Sequence, residues 1–180
     1  MARTHIPQHE ESSAETKPIL DSVKKQLGFV PHLHRLMAKS PHVLNGWLGL
    51  MSNLAKTLDA KTRDGIALAV TAVNGCAYCN AAHSYVASTM AKISEEEIAL
   101  NREGRSSDPK RQAAIAFAKK VTETRGKVDE ADFKAVKDAG YTDTQILEIV
   151  GLSAQFLMTN FINNVFDTDI DFPPAEAKKA

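Results

Sequence analysis

Arg63-Asp64-Gly65-Ile66-Ala67-Leu68-Ala69-Val70-Thr71-Ala72-Val73-Asn74-Gly75-Cys76-Ala77-Tyr78-Cys79-Asn80-Ala81-Ala82-His83 is the stretch that decides how this 180-residue chain is read. Asp59 can cap a helix that carries Ile66, Leu68, Ala69 and Val70 as far as about Val73. Asn74-Gly75 breaks that helix, and a second is expected from about Cys76 to about Ala91. If Gly75 precedes the second helix, both cysteines lie in its first turn. There, unpaired backbone N–H groups and the positive end of the helix dipole favour a thiolate.

Toward the N-terminus the same punctuation recurs. Ser40-Pro41 reads as an N-cap and first-position proline, opening a helix to about Lys56. Leu44, Trp47, Leu48, Met51 and Leu54 form its apolar face, so Trp47 reads as a core residue. Val30 to Ala38 predicts a short turn or helix, and Lys17 to Leu27 a helix stopped by Gly28. Toward the C-terminus, Ser94 to Glu97 reads as a capping box opening a short segment to Leu100. Pro109 starts a helix to Thr124, Asp129 caps one ending at Gly140, and Thr142 to Gln145 boxes a long last helix to about Asn164.

This pattern predicts an all-α, single-domain protein of some eight helices whose apolar stripes pack as helix-on-helix layers. Residues 1–15 are expected to be a mobile N-terminal arm, residues 16–172 the helical domain with its cysteine core at 60–92, and residues 173–180 a tail.

Composition narrows the function. Lys+Arg and Asp+Glu are both 22, so no basic bias draws nucleic acid or anionic lipid. Residues 1–17, MARTHIPQHEESSAETK, lack the apolar run of a secretory signal, and no stretch approaches the roughly 18 apolar residues of a membrane span. The expectation is a cytoplasmic protein without membrane or nucleic-acid partners. In that compartment a structural disulfide is an exception, so two cysteines placed three apart carry information.

Cys76, Cys79 and His83 are spaced i, i+3 and i+7, along one side of a helix. His83 then sits about 6 Å along the axis from Cys79 and about 10 Å from Cys76. The helix dipole favours Cys76 as the low-pKa thiol, whereas the nearby base favours Cys79. The reading adopted takes Cys79 as the attacking thiolate, Cys76 as the resolving one and His83 as the base. Three other readings stand beside it: inert core cysteines, a non-catalytic redox sensor or assembly module, and a structural zinc site. Zinc needs four ligands, and one helix supplies three here. No phosphate loop, serine elbow or paired-carboxylate motif is present.

His32 and His34, two apart, read as surface or packing residues, and Phe156, Phe161 and Phe166 as core or subunit contacts. Asn160, Asn163 and Asn164 are unusual so late in an apolar helix; they either cap its end or lie across a subunit interface.

The stretch 63–83, with Gln26-Leu27-Gly28-Phe29-Val30-Pro31 before it and Asn160-Phe161-Ile162-Asn163-Asn164 after it, resembles the alkylhydroperoxidase D-like members of the carboxymuconolactone decarboxylase superfamily. Residues 15–172 are similar to the longer, peroxidase-related branch. The resemblance implies an all-helical two-layer fold, assembly into trimers or hexamers, and hydroperoxide reduction at the CxxC pair without a cofactor or metal. It also implies a proton relay in which Asp64, His83 and Cys79 act together, with Cys76 resolving. Asp64 stands where the family pattern has glutamate, one methylene longer. Tyr78, between the cysteines, either hydrogen-bonds within the site or only packs. The implied partners are a hydroperoxide and an external dithiol or thiol-protein reductant. The superfamily's alternative chemistry is decarboxylation of a cyclic lactone.

Overall fold

Short polar side chains set most of the helix starts. Ser40, Asp59, Asp129 and Thr142 accept hydrogen bonds from the backbone N–H groups of Val43, Thr62, Asp132 and Gln145, satisfying donors that a helix leaves unpaired. A computed structural model describes residues 2–172, so the expected tail at 173–180 lies outside the described residues. Those residues form nine α-helices and one 3-10 turn, His9–Glu11. The helices are α1 (Lys17–Leu27), α2 (His32–Met37), α3 (Pro41–Leu54), α4 (Ala60–Asn74), α5 (Ala77–Thr89), α6 (Glu95–Arg102), α7 (Pro109–Glu123), α8 (Glu130–Asp138) and α9 (Asp143–Phe166). The all-α expectation holds among the described residues, and α2 is the segment that sequence left between turn and helix.

Two details differ from the sequence reading. Ser94 caps α6, but the Glu97 carboxylate does not complete a capping box; it accepts from Ser106 and Ser107 of the following turn instead. The segment expected to be a mobile arm is laid against the body. Arg3 N donates to Phe166 O at 2.8 Å, Lys39 Nζ to Thr4 Oγ1 at 3.0 Å, and Arg35 Nη1 to Gln8 Oε1 at 2.8 Å.

The centre of the molecule is α4, not one of the striped helices. Its residues Gly65 to Thr71 are buried without interruption, so the helix is enclosed on every side, by α5, α6, α7 and α9. One core gathers Ile66 and Val70 with Ile115, Ile149, Leu152 and Phe117. A second gathers Leu20, Leu33, Leu44 and Trp47 around Cys76, Tyr78 and Cys79. The α9 helix has the length and mean hydropathy of a membrane span, yet it packs on α3, α4, α5 and α7 and buries Gln155, Asn160 and Asn163 there. These are features of a core helix.

Close approach of α4 to α7 depends on Gly65. A Cβ there would overlap Ile115 Cδ1 and lie 3.0 Å from Ile115 Cγ1, and Ile115 is fully buried. Gly65→Val is therefore expected to destabilise the fold by about 1–3 kcal/mol through overpacking. Urea unfolding should show a lower midpoint at an unchanged slope.

Candidate active site

Gly75 ends α4 in the left-handed region, at φ 62°, which turns the chain sharply enough for α5 to start two residues later. Cys76 is the N-cap of α5, so the helix begins one residue later than expected. Its Sγ accepts from Cys79 N at 3.2 Å, a sulfur doing the work that serine or aspartate does elsewhere. The two cysteines form an intrachain disulfide and are 1% and 3% exposed. A thiolate at either sulfur would sit at the positive end of α5.

The remaining expected residues surround a cavity of about 730 Å³ between α1, α2, α3, α4, α5 and α9. Cys79, His83 and Asp64 all line it, together with apolar side chains such as Trp47, Met51 and Phe156. Cys79 lines the cavity and Cys76 does not, so the two cysteines are inequivalent, although both belong to the same apolar core.

His83 packs edge-on against the Phe156 ring, with centroids 5.1 Å apart. Removal from water pushes its imidazole down to about 4, because nothing around it offsets the lost solvation of the cation. Asp64 is pushed the other way, up to about 6, chiefly by desolvation and slightly by Asp59; the Arg63 guanidinium opposes this. Among the described residues no hydrogen bond joins Asp64 to His83, or His83 to either sulfur. The structure thus brings the sequence-predicted residues to one cavity without linking them in a hydrogen-bonded chain.

Tyr78 lines the same cavity and is held by partners of its own. Its hydroxyl accepts from Leu33 N at 3.2 Å, its ring packs on Phe172 at 5.7 Å, and burial with the nearby Asp171 carboxylate pushes its pKa far up. It ties α5 to α2 and to the chain after α9, with its hydroxyl directed to backbone and not to sulfur.

Sequence reasoning read His34 as a surface or packing residue and missed where the α9 asparagines reach. His34 lies in the cavity wall against Trp47, centroids 5.2 Å apart, and burial pushes it down to about 4. The side chains of the α9 asparagines do not cap the helix; they reach other helices of the same chain. Asn160 donates to Thr71 Oγ1 and accepts from Asn74, Asn164 donates to Asn74 O, and Asn163 Nδ2 lies 3.2 Å from Cys79 Sγ. The signal was present as three carboxamides in an apolar helix, but their targets are about 85–90 residues away in sequence. Among the described residues, no group of three or more His, Cys, Asp or Glu is placed to hold a metal ion.

Comparison with known proteins agrees with this architecture. Residues 41–123, which include the cysteine pair, match the carboxymuconolactone decarboxylase family. The fold is similar to that of an uncharacterized peroxidase-related protein with an alkylhydroperoxidase core from Ralstonia eutropha: TM-score 0.84, 23% identity, 94% of this chain and 92% of that one. It is also similar to a peroxidase-related protein from Silicibacter sp., with TM-score 0.82, 23% identity and coverage of 93% and 91%. The debrominase Bmp8 shares the fold at TM-score 0.77 and 21% identity, over 92% of this chain and 90% of that one. A cysteine-to-alanine variant of that debrominase has been seen in complex with a tribromopyrrole. No curated protein sequence matches the chain.

Proposed function

We propose that this chain, a member of the superfamily that joins carboxymuconolactone decarboxylases with alkylhydroperoxidase D-like proteins, reduces hydroperoxides through Cys79 and Cys76. One observation carries the reading. A disulfide-competent pair sits at a helix N-terminus, and only the Cys79 side of it faces a cavity that also holds a base and a carboxylate.

In the reduced site, Cys79 thiolate attacks the outer oxygen of the hydroperoxide. An S–O bond forms, the O–O bond breaks, and the departing alkoxide takes the proton that His83 received from the thiol. Cys76 thiolate then attacks the Cys79 sulfenic acid, the S–S bond forms, and hydroxide leaves as water after protonation. An external dithiol returns two electrons and two protons to the disulfide.

The low pKa of His83 belongs to the oxidised site, where the sulfurs carry no charge. A thiolate beside it after reduction favours the imidazolium, which is the form that can protonate a leaving oxygen. With no direct hydrogen bond from Asp64 to His83, a proton moves between them only through a bridging molecule, water or substrate.

A second reading has one specific support, the shared fold with a debrominase. The same dithiol can deliver its two electrons to a carbon–bromine bond instead of an O–O bond, and an apolar cavity suits a ring compound.

The test counts free thiols in reduced chain, freed of reductant and mixed with one equivalent of organic hydroperoxide. Loss of both thiols with an intramolecular disulfide by mass is the expected result. Inert thiols with hydroperoxide, but bromide release from a bromopyrrole, would move the assignment to reductive debromination. One oxidation per chain with no turnover under any reductant indicates a sensor. Activity on a lactone that survives removal of both cysteines indicates a decarboxylase.

A further inference from the structure

We propose that Asn163 is part of the reacting centre: its carboxamide donates to the Cys79 sulfur and stabilises the thiolate that attacks the oxidant. The proposal rests on the reading of Cys79 as the attacking sulfur and adds to it a residue from the far end of the chain.

The geometry is specific. Asn163 is 3% exposed on the last turns of α9, and its Nδ2 lies 3.2 Å from Cys79 Sγ and 3.0 Å from Thr159 O. A backbone carbonyl only accepts, so the atom facing it is the nitrogen, and the amide orientation is settled without reference to the sulfur. Nδ2 has two hydrogens, and the carbonyl and the sulfur are its two acceptors. The Oδ1 atom is buried and without a partner, so the group is held from its nitrogen side. An amide donor directed at neutral sulfur is a weak contact, but the same donor directed at a thiolate is a charge-assisted hydrogen bond.

Competing sources of thiolate stabilisation are few. The charged or titratable groups around the cavity are Arg63 and Asp64 of α4, His34 of α2, and Tyr78 and His83 of α5. Among the described residues none of them hydrogen-bonds to either sulfur. The α5 dipole acts on both cysteines, through Cys76 as cap and Cys79 in the first turn. Asn163 is the side-chain donor on Cys79 Sγ, whereas Cys76 Sγ has the Cys79 backbone N–H. It also accounts for the polar seam between α9 and the α4–α5 turn. Asn160 and Asn164 tie the same helix to Thr71 and Asn74.

The experiment is a thiol titration of the full chain carrying Cys76→Ser, so that Cys79 is its single cysteine. The rate of Cys79 alkylation by iodoacetamide is followed against pH, with folding checked by circular dichroism. Adding Asn163→Ala should raise the Cys79 pKa by about one to two units, since a hydrogen bond to a charged group contributes that much. Alkylation at a pH below both pKa values should slow by about 10-fold or more. Asn163→Asp, of equal size, replaces the donor by oxygen and should raise the pKa at least as far; it serves if the alanine variant fails to fold. Asn160→Ala is the control for a merely structural role. It is buried on the same helix and loosens the same seam, but it touches no sulfur.

An unmoved pKa in the Asn163 variants, or an equal rise in Asn160→Ala, overturns the proposal. The titration uses no peroxide. A wild-type chain inert to hydroperoxide would sink the peroxidase reading while leaving this assignment to be judged on the pKa alone.

Discussion

Cys79→Ser should abolish reaction of the reduced chain with organic hydroperoxide, lowering the second-order rate by at least about 10³-fold. Cys76→Ser should still consume one equivalent and stop at a Cys79 sulfenic acid. The size of the first effect follows from removing a nucleophile whose partners work only through it; such losses run to about 10⁴–10⁶ in other enzymes. A serine hydroxyl at this site stays protonated near neutral pH, and the remaining Cys76 is buried and does not line the cavity. The asymmetry between the variants is read by trapping the sulfenic acid with a dimedone probe and weighing the intact chain. Sulfenic acid in Cys79→Ser and none in Cys76→Ser would reverse the two roles. Full turnover without either cysteine would remove thiol chemistry from the account.

The second large effect concerns pH. In the disulfide form His83 is held near 4 against an ordinary 6.5, and Asp64 near 6 against 3.8. Between about pH 4 and 6.5 the unfolded chain holds a proton on His83 that the folded chain does not. His83 therefore makes stability rise with pH across that window and be lost as pH falls through it. Asp64 has the opposite sign. Between about pH 3.8 and 6 the folded chain holds its proton and the unfolded chain does not, so its contribution is full below 3.8 and fades as pH rises to 6. Each swing is about 3 kcal/mol. Because they oppose, they nearly cancel in the native chain.

Single substitutions should expose them. Relative to wild type, Asp64→Asn should become progressively more stable as pH rises from 4 to 6.5. His83→Gln should gain most at the acid end, where the protonated imidazole is costly, and lose that gain above pH 6.5. Urea unfolding of the disulfide form at a series of pH values gives both difference curves. Asp59 and Glu97, whose carboxylates are held low by hydrogen bonds and Arg111, add a common acid sensitivity that the differences remove. Flat difference curves would mean that both side chains are solvated in the folded chain.

What the sequence reveals about the site is uneven. The pairing of Cys76 with Cys79 is legible because both cysteines belong to one turn and Gly75 announces it. Asp64 and His83 are legible as candidates, but whether they touch is not. They lie on different helices, and the α4–α5 crossing puts both on one cavity without a hydrogen bond between them. Tyr78 was read as a group of the site from its place between the cysteines. It does line the cavity, and its hydroxyl accepts from Leu33 N, a contact that depends on where α2 packs.

The sequence by itself determined the all-helical architecture, the positions of the caps and breaks, and the cysteine turn. Each of these depends on residues within about four positions of one another, where periodicity, capping and turn chemistry act. Only the tertiary structure decided which sulfur faces the cavity, that burial moves His83 and Asp64 in opposite directions, and that α9 delivers Asn163 to Cys79 across 84 residues. Burial and contacts between distant segments depend on how nine helices fill one volume together, and that packing is set by the whole set of apolar faces rather than by any local stretch.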